Sequence, residues 1–176
     1  MMKVAILIPI YKTTLSASEK KSFTQCFEVL NRYTIIIVAP NNLEIPSIFK
    51  NKKLRTIHFK NEYFKGIAGY NKLLLSRSFY KKFISYNYVL IYQLDAWVFK
   101  DELEYWCNKD YDYIGAPWAY KNDNGDMELK TGNGGFSLRK ISSHFKIFDK
   151  WKIIDSRKGI IIENWEKGKL NFFFNF

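Results

Sequence analysis

Val4-Ala5-Ile6-Leu7-Ile8-Pro9-Ile10 contains no polar side chain. A strand with one wet face alternates apolar and polar residues, so an unbroken run reads as a strand covered on both faces, as in parallel sheets layered between helices. The run is broken by Pro9 and is far shorter than the 18 to 20 or so residues a bilayer needs, so it predicts neither a signal peptide nor a membrane span. Downstream, Ser16 and Glu19 have capping-box spacing, and Phe23, Phe27 and Leu30 then recur at helical intervals. The β-branched run Thr34-Ile35-Ile36-Ile37-Val38, closed by Ala39-Pro40, predicts a second buried strand, and residues 54–59 alternate as a third, shallower one.

Residues 66 to about 82 predict a second helix, with Ile67, Tyr70, Leu74 and Leu75 on its inner face. Tyr88-Val89-Leu90-Ile91-Tyr92-Gln93-Leu94 follows as a strand ending at Asp95, and Asp101 with Glu104 has the spacing of another helix cap. Strands at 111–116 and 135–138 are expected to flank a polar loop over 121–132, before an amphipathic helix carrying Phe145, Phe148 and Trp151. The expected fold is α/β: one domain over residues 1–176, with a Rossmann-like, mostly parallel sheet flanked by helices. No repeat or linker interrupts it.

A chain of 176 residues that is 47% hydrophobic and 18% aromatic is too apolar to be disordered. Cys26 and Cys107 stand far apart in helix-like contexts, which predicts core packing and fits a reducing cytoplasm. The net charge of +11 attracts anions: nucleic acid, an anionic membrane surface or a phosphorylated small molecule. The lysines fall in scattered pairs, without a basic stripe interleaved with aromatics, so nucleic acid is not the expected partner and a basic nucleic-acid-binding protein is the weaker rival reading.

Ligands of open parallel sheets bind beyond the carboxyl ends of the strands, where Asp95 is expected as a half-buried carboxylate. A divalent ion bridging it to phosphates would offset the burial, whereas a turn cap or a lysine partner would satisfy it equally. The stretch Tyr88-Val89-Leu90-Ile91-Tyr92-Gln93-Leu94-Asp95-Ala96-Trp97-Val98-Phe99 resembles the strand bearing the Asp-x-Asp element of GT-A glycosyltransferases. Tyr111-Asp112-Tyr113-Ile114-Gly115-Ala116-Pro117-Trp118 and Thr131-Gly132-Asn133-Gly134-Gly135-Phe136-Ser137-Leu138-Arg139 resemble two further blocks of a branch long catalogued as a domain of unknown function. The resemblance runs to about residue 140.

It implies a GT-A-like fold, with a nucleotide-binding part over about 1–100 and an acceptor part over about 101–176. It also implies transfer of a sugar from a nucleotide-sugar donor to a glycan or lipid-linked acceptor, in bacterial surface polysaccharide synthesis. Mn²⁺ or Mg²⁺ would sit at Asp95. Donor-binding residues would be Pro9, Tyr11, Asn71, Lys72, Gln93 and Asp95, with Tyr11 stacking on the base and Asn71 and Lys72 on a helix similar to the one lining the nucleotide. Small residues on that helix, Gly66 to Gly69, would equally serve plain packing. Acceptor-binding residues would be Trp118, Gly134, Gly135 and Phe136. The glycines read equally as a β-bulge, and Trp118 as a core plug. Glu163, after Ile160-Ile161-Ile162, best matches the family's base, with Asp155 and Glu166 close behind. Trp97 departs from the motif, standing where a second acid would follow Asp95. That departure suits a rival, a nucleotide-sugar binding module without catalysis. His58 and His144 read as structural or surface residues. The closing stretch, with Phe172, Phe173, Phe174 and Phe176 beside Lys167 and Lys169, is expected against the core, in a homodimer, or peripherally on an anionic inner membrane face.

Overall fold

The computed structural model describes residues 2–156, 159–164 and 172–174; side chains are described as far as Ile147, apart from those of Trp118, Lys130 and Thr131. The opening run forms β1 (Val4–Pro9), followed by α1 (Ala17–Val29), β2 (Thr34–Pro40), the short α2 (Ser47–Lys50) and β3 (Arg55–Phe59). A 3-10 turn (Asn61–Phe64) leads into α3 (Gly66–Leu74), then α4 (Arg77–Lys81), β4 (Tyr88–Tyr92) and α5 (Leu103–Asn108). Next come β5 (Tyr113–Lys121), β6 (Met127–Lys140) and α6 (Ile141–Lys150). A separate antiparallel sheet holds β7 (Trp151–Ser156), β8 (Gly159–Asn164) and β9 (Phe172–Phe174).

The main sheet runs β3-β2-β1-β4-β6-β5. Strand β1 is central and parallel to both neighbours, Leu7 lying opposite Ile36 on one side and Ile91 on the other. Strand β3 pairs parallel with β2, and only β6 runs against the others, antiparallel to β4 on one side and β5 on the other. Alternate residues of these strands enter two cores. Ile6, Ile8, Ile37, Leu90 and Tyr92 meet Phe23 and Cys26 of α1 and Cys107 of α5. Leu7, Ile36, Val89 and Ile91 meet Leu73 of α3, Phe79 and Tyr80 of α4 and Ile141 of α6. Burial on both faces is what the unalternating runs require, and the architecture is the expected α/β, Rossmann-like, mostly parallel sheet flanked by helices.

Four local expectations are corrected. The helix predicted over 66–82 is two helices, because the Ser76 hydroxyl donates to the Leu73 carbonyl (2.8 Å) and accepts from the Phe79 amide (3.2 Å), ending one helix and capping the next. Residues 121–132 are a loop only over 122–126, since 127–132 belong to β6 of a β5–β6 ribbon, and the turn is held by Asn122, whose Oδ1 accepts from the Asn124 and Asp126 amides. A ribbon wet on both faces has no apolar alternation to betray it. Asp101 accepts from the Leu103 amide (3.2 Å), but Glu104 closes no capping box. Trp151 opens β7 and does not belong to the helix.

Candidate functional site

Strand order 3-2-1-4 reverses direction between β1 and β4, and in open α/β sheets the crevice beyond the strand ends at such a reversal is the natural ligand site. Chain leaving β1 supplies Pro9, Ile10 and Tyr11. The Ile10 amide donates to the Val38 carbonyl at 2.8 Å, and the Tyr11 ring is exposed. Lys12 pairs with Glu19 at 2.8 Å, and Glu19 also completes the capping box on Ser16.

Beyond β4 the chain turns at once. The Gln93 amide donates to the Gly135 carbonyl (2.8 Å) and the Ala96 amide to the Gln93 carbonyl (3.0 Å), placing Asp95 near the tip of the turn. Here the expectation of a half-buried carboxylate fails: β4 stops at Tyr92, and Asp95 lies past it, exposed, with no hydrogen bond or ion pair among the described residues. Buried groups hold the turn from below. The Ala96 carbonyl accepts from the Ser22 hydroxyl (2.7 Å) and the Tyr92 hydroxyl (3.2 Å), and the Val98 carbonyl from Gln25 (2.9 Å).

Two cavities meet at this turn and share Gln93 and Asp95. The smaller, about 90 Å³, is walled by Pro9, Tyr11, Lys12, Leu15, Glu19 and Leu94. The larger, about 250 Å³, is walled by Ala96, Trp97, Ala116, Asn133, Gly135 and Phe136. Its far wall is a bulge. Gly115 lies opposite Ser137 but Ala116 opposite Asn133, so residues 134–136 have no counterpart on β5. The Gly135 amide donates to Asn133 Oδ1 at 2.8 Å. A methyl group at Gly135 would come within 2.8 Å of the Gln93 side-chain carbon, so glycine there leaves room for that carboxamide. The bulge reading of these glycines holds, and Gly135 also lines the larger cavity.

A buried network supports the bulge, and Arg139 is at its centre, 5% exposed. Its guanidinium donates to Ser137 Oγ (3.0 Å), to the Tyr80 hydroxyl (2.8 Å) and, at 3.5 Å, to the Gly134 carbonyl, and lies 5.3 Å from the Tyr113 ring centre. The Tyr113 hydroxyl donates to the carbonyls of Gly132 (3.1 Å) and Asn133 (3.0 Å). Burial pushes the Tyr70 phenol up, against the opposing pull of Arg139 and a hydrogen bond with Gln93, which ties the shared cavity wall to this network. The guanidinium remains protonated, and no described carboxylate contacts it.

The structure therefore brings Pro9, Tyr11, Gln93, Asp95, Gly135 and Phe136 together. Gly134 lies behind the wall, with its carbonyl on Arg139 and on Ser137 Oγ (3.0 Å). Asn71 and Lys72 line neither cavity; Lys72 is exposed, and the Asn71 amide nitrogen is buried without a partner. Gly69 serves packing, since a methyl group there would meet the Glu62 carbonyl oxygen at 2.5 Å. Trp118 lies on β5 opposite Lys130, and Glu163 on β8 opposite Lys152; their side chains, and that of Asp155, lie outside those described, and Glu166 lies outside the described residues. His58 is exposed and His144 is buried, as expected of structural or surface groups. Both cysteines are free core residues whose thiols burial pushes up to about 12.

Trp97, Asn133, Tyr113 and Arg139 were not singled out as site residues by sequence. The available signal was parity: Ser137 and Arg139 share a strand face with Gly135, on the side of the sheet occupied by buried aromatics. As a cation site, the described residues offer one free carboxylate and two carboxamides, Gln93 and Asn133, and no cluster of three His, Cys, Asp or Glu. One carboxylate suits a hard ion such as Mg²⁺ only where a bound ligand's phosphates supply the remaining oxygens.

No curated protein matches the chain significantly in sequence. A solved structure to which it is similar is 4-diphosphocytidyl-2C-methyl-D-erythritol synthase from Anaerococcus prevotii DSM 20548, at 9% identity and a TM-score of 0.47, over 85% of this chain and 76% of that one. The model of one family matches residues 53–172, which span β3, α3, β4, the Asp95 turn, the glycine bulge and β8, and the chain belongs to that family, described as "Protein of unknown function (DUF5672)".

Proposed function

We propose that this protein is a glycosyltransferase that moves a sugar from a nucleotide-sugar to a glycan or lipid-linked acceptor. The observation that carries the reading is the pair of cavities meeting at Asp95, beyond the carboxyl ends of β1 and β4, with the glycine bulge as their far wall. The donor would enter over Pro9 and Tyr11, whose exposed ring is free to stack on a base. Asp95 would hold Mn²⁺ or Mg²⁺ together with the donor's phosphates, and the ion would neutralise charge on the departing diphosphate. The acceptor would lie over Gly135 and Phe136, with Trp118 flanking it. Glu163 is the proposed base for the acceptor hydroxyl. Asn71 and Lys72 are assigned to the outer edge of the donor site. The enzyme would work in the cytoplasm, against the inner membrane face, as a monomer or homodimer. Melting curves with a panel of nucleotide-sugars, with and without Mn²⁺, test the reading, since a ligand that binds only the folded state raises the melting temperature with its concentration. A rise for one nucleotide class that requires Mn²⁺ is expected; no rise for any donor would overturn it. Trp97 favours a second reading, a donor-binding module without transfer, which predicts the same rise and no released nucleotide when acceptors are added.

A further inference from the structure

The two cavities differ in charge. Among the described residues, the larger one has a single formal charge on its wall, the Asp95 carboxylate, and no Lys, Arg or His. A phosphate placed there would face a bare anion. A cation would find, where a second acid stands in the Asp-x-Asp pattern, an indole with no lone pair to offer. What remains is a neutral ligand, and the other groups narrow its chemistry.

Trp97 is 44% exposed although the residues on both sides of it are fastened to the core: the Ala96 carbonyl by Ser22 and Tyr92, the Val98 carbonyl by Gln25. Tying the backbone down on either side of a partly exposed indole preorganises an apolar face in the cavity wall. Phe136 forms a second apolar surface, held edge-on against Tyr92 with ring centres 5.7 Å apart. The same wall carries groups that suit hydroxyls. Asp95 offers two acceptor oxygens, and Asn133, whose Oδ1 is taken by the Gly135 amide, presents its NH₂ as a donor. Gln93 contributes a further carboxamide. A polyol ring with one C–H-rich face matches a wall that combines two aromatic rings with acceptors and donors. At about 250 Å³ the space is below the range of roughly 300–1,000 Å³ usual for drug-sized ligands, which suits a single ring.

We infer, on the footing of the glycosyltransferase reading, that the larger cavity receives one uncharged pyranose ring stacked on Trp97, and that this contact needs no metal ion. Trp97 is thereby a specificity-determining residue, separating a sugar side from the phosphate side of Asp95.

Saturation-transfer NMR on the full chain tests this with the methyl glycosides of glucose, galactose, mannose and N-acetylglucosamine, and with uridine, all in EDTA. Transfer to the ring protons of at least one glycoside is expected. Trp97→Ala should weaken that binding about tenfold while Trp97→Phe keeps most of it, as loss of one aromatic contact requires. Trp97→Gln, polar and close to the indole in reach, repeats the loss if the alanine variant melts early. Four results would each overturn the proposal: no transfer to any glycoside, transfer that Trp97→Ala and Trp97→Gln leave intact, transfer to uridine alone, or transfer only after Mn²⁺ is added. A parallel melting curve with UDP and Mn²⁺ separates the two ideas. Trp97-dependent sugar binding without any nucleotide binding sinks the transferase reading alone, and nucleotide binding without sugar binding sinks this one alone.

Discussion

A carboxylate that water reaches is inexpensive to keep and inexpensive to change. Asp95 is exposed and has no partner among the described residues, so Asp95→Asn should alter stability by no more than about 0.5 kcal/mol. Any loss it causes in nucleotide binding is then a loss of site chemistry. The expected result is that Mn²⁺ ceases to strengthen donor binding in titration calorimetry, while binding without metal is unchanged. Glu163 calls for a different measurement, because a general base acts in the transition state. Glu163→Gln should lower turnover by about 10² or more at nearly constant donor affinity, and unchanged turnover would move the role to Asp155 or Glu166.

Two glycines separate element packing from cavity shape. A methyl group at Gly69 would meet backbone, the Glu62 carbonyl, and neither α3 nor the 3-10 turn can yield without moving as a unit. Gly69→Ala should therefore cost about 1–3 kcal/mol in urea denaturation. At Gly135 the obstruction is the Gln93 carboxamide, the end of a flexible side chain. Gly135→Ala should cost less than Gly69→Ala, yet impair ligand binding more, by driving that amide into the cavity. The same elements show what the sequence made legible. Strands β1, β2 and β4 were readable because burial on both faces leaves a run without alternation, and α1 because Ser16 and Glu19 close a capping box. The inner ends of β5 and β6 were readable too, but the outer part of their ribbon was not, since exposed Met127, Leu129 and their polar neighbours follow no period tied to a core. The place of Asp95 beyond β4 was readable but not its setting, because whether a strand stops at Tyr92 or Leu94 depends on where Gly135 offers its carbonyl. Arg139 was hidden for a related reason: its partners Tyr80 and Tyr113 lie on separate elements.

Across the whole molecule, the network behind the bulge is sensitive to acid. His144 is stacked on Tyr80 with ring centres 4.5 Å apart, and burial, reinforced by nearby Arg139, lowers its pKa from 6.5 to about 4. The unfolded chain takes up this proton near pH 6.5 and the folded chain does not. Stability is therefore fully present above about pH 6.5 and declines as pH falls toward 4, by roughly 3 kcal/mol at most. His144→Phe should flatten that decline, as followed by melting temperature against pH. The charge of +11 acts over the same scale. If the closing stretch works with it at a membrane, the chain should pellet with anionic vesicles at low salt, and a chain ending at Lys169 should pellet less. Failure of both to pellet at low salt would exclude peripheral binding.

The central pairing of β1 with β4 also governs the order of folding. The Lys3 amide donates to Asn87 Oδ1 across 84 positions of chain, and β6 joins only beyond that. During synthesis the first strand must wait, with one flank unpaired, until residue 92 has left the ribosome, and the cavity cannot close until the bulge at 134–136 has followed it. Non-local strand pairing of this kind is slow because loop closure precedes its reward. The nascent chain is thus most vulnerable to aggregation in the interval between emergence of the first strand and emergence of the fourth.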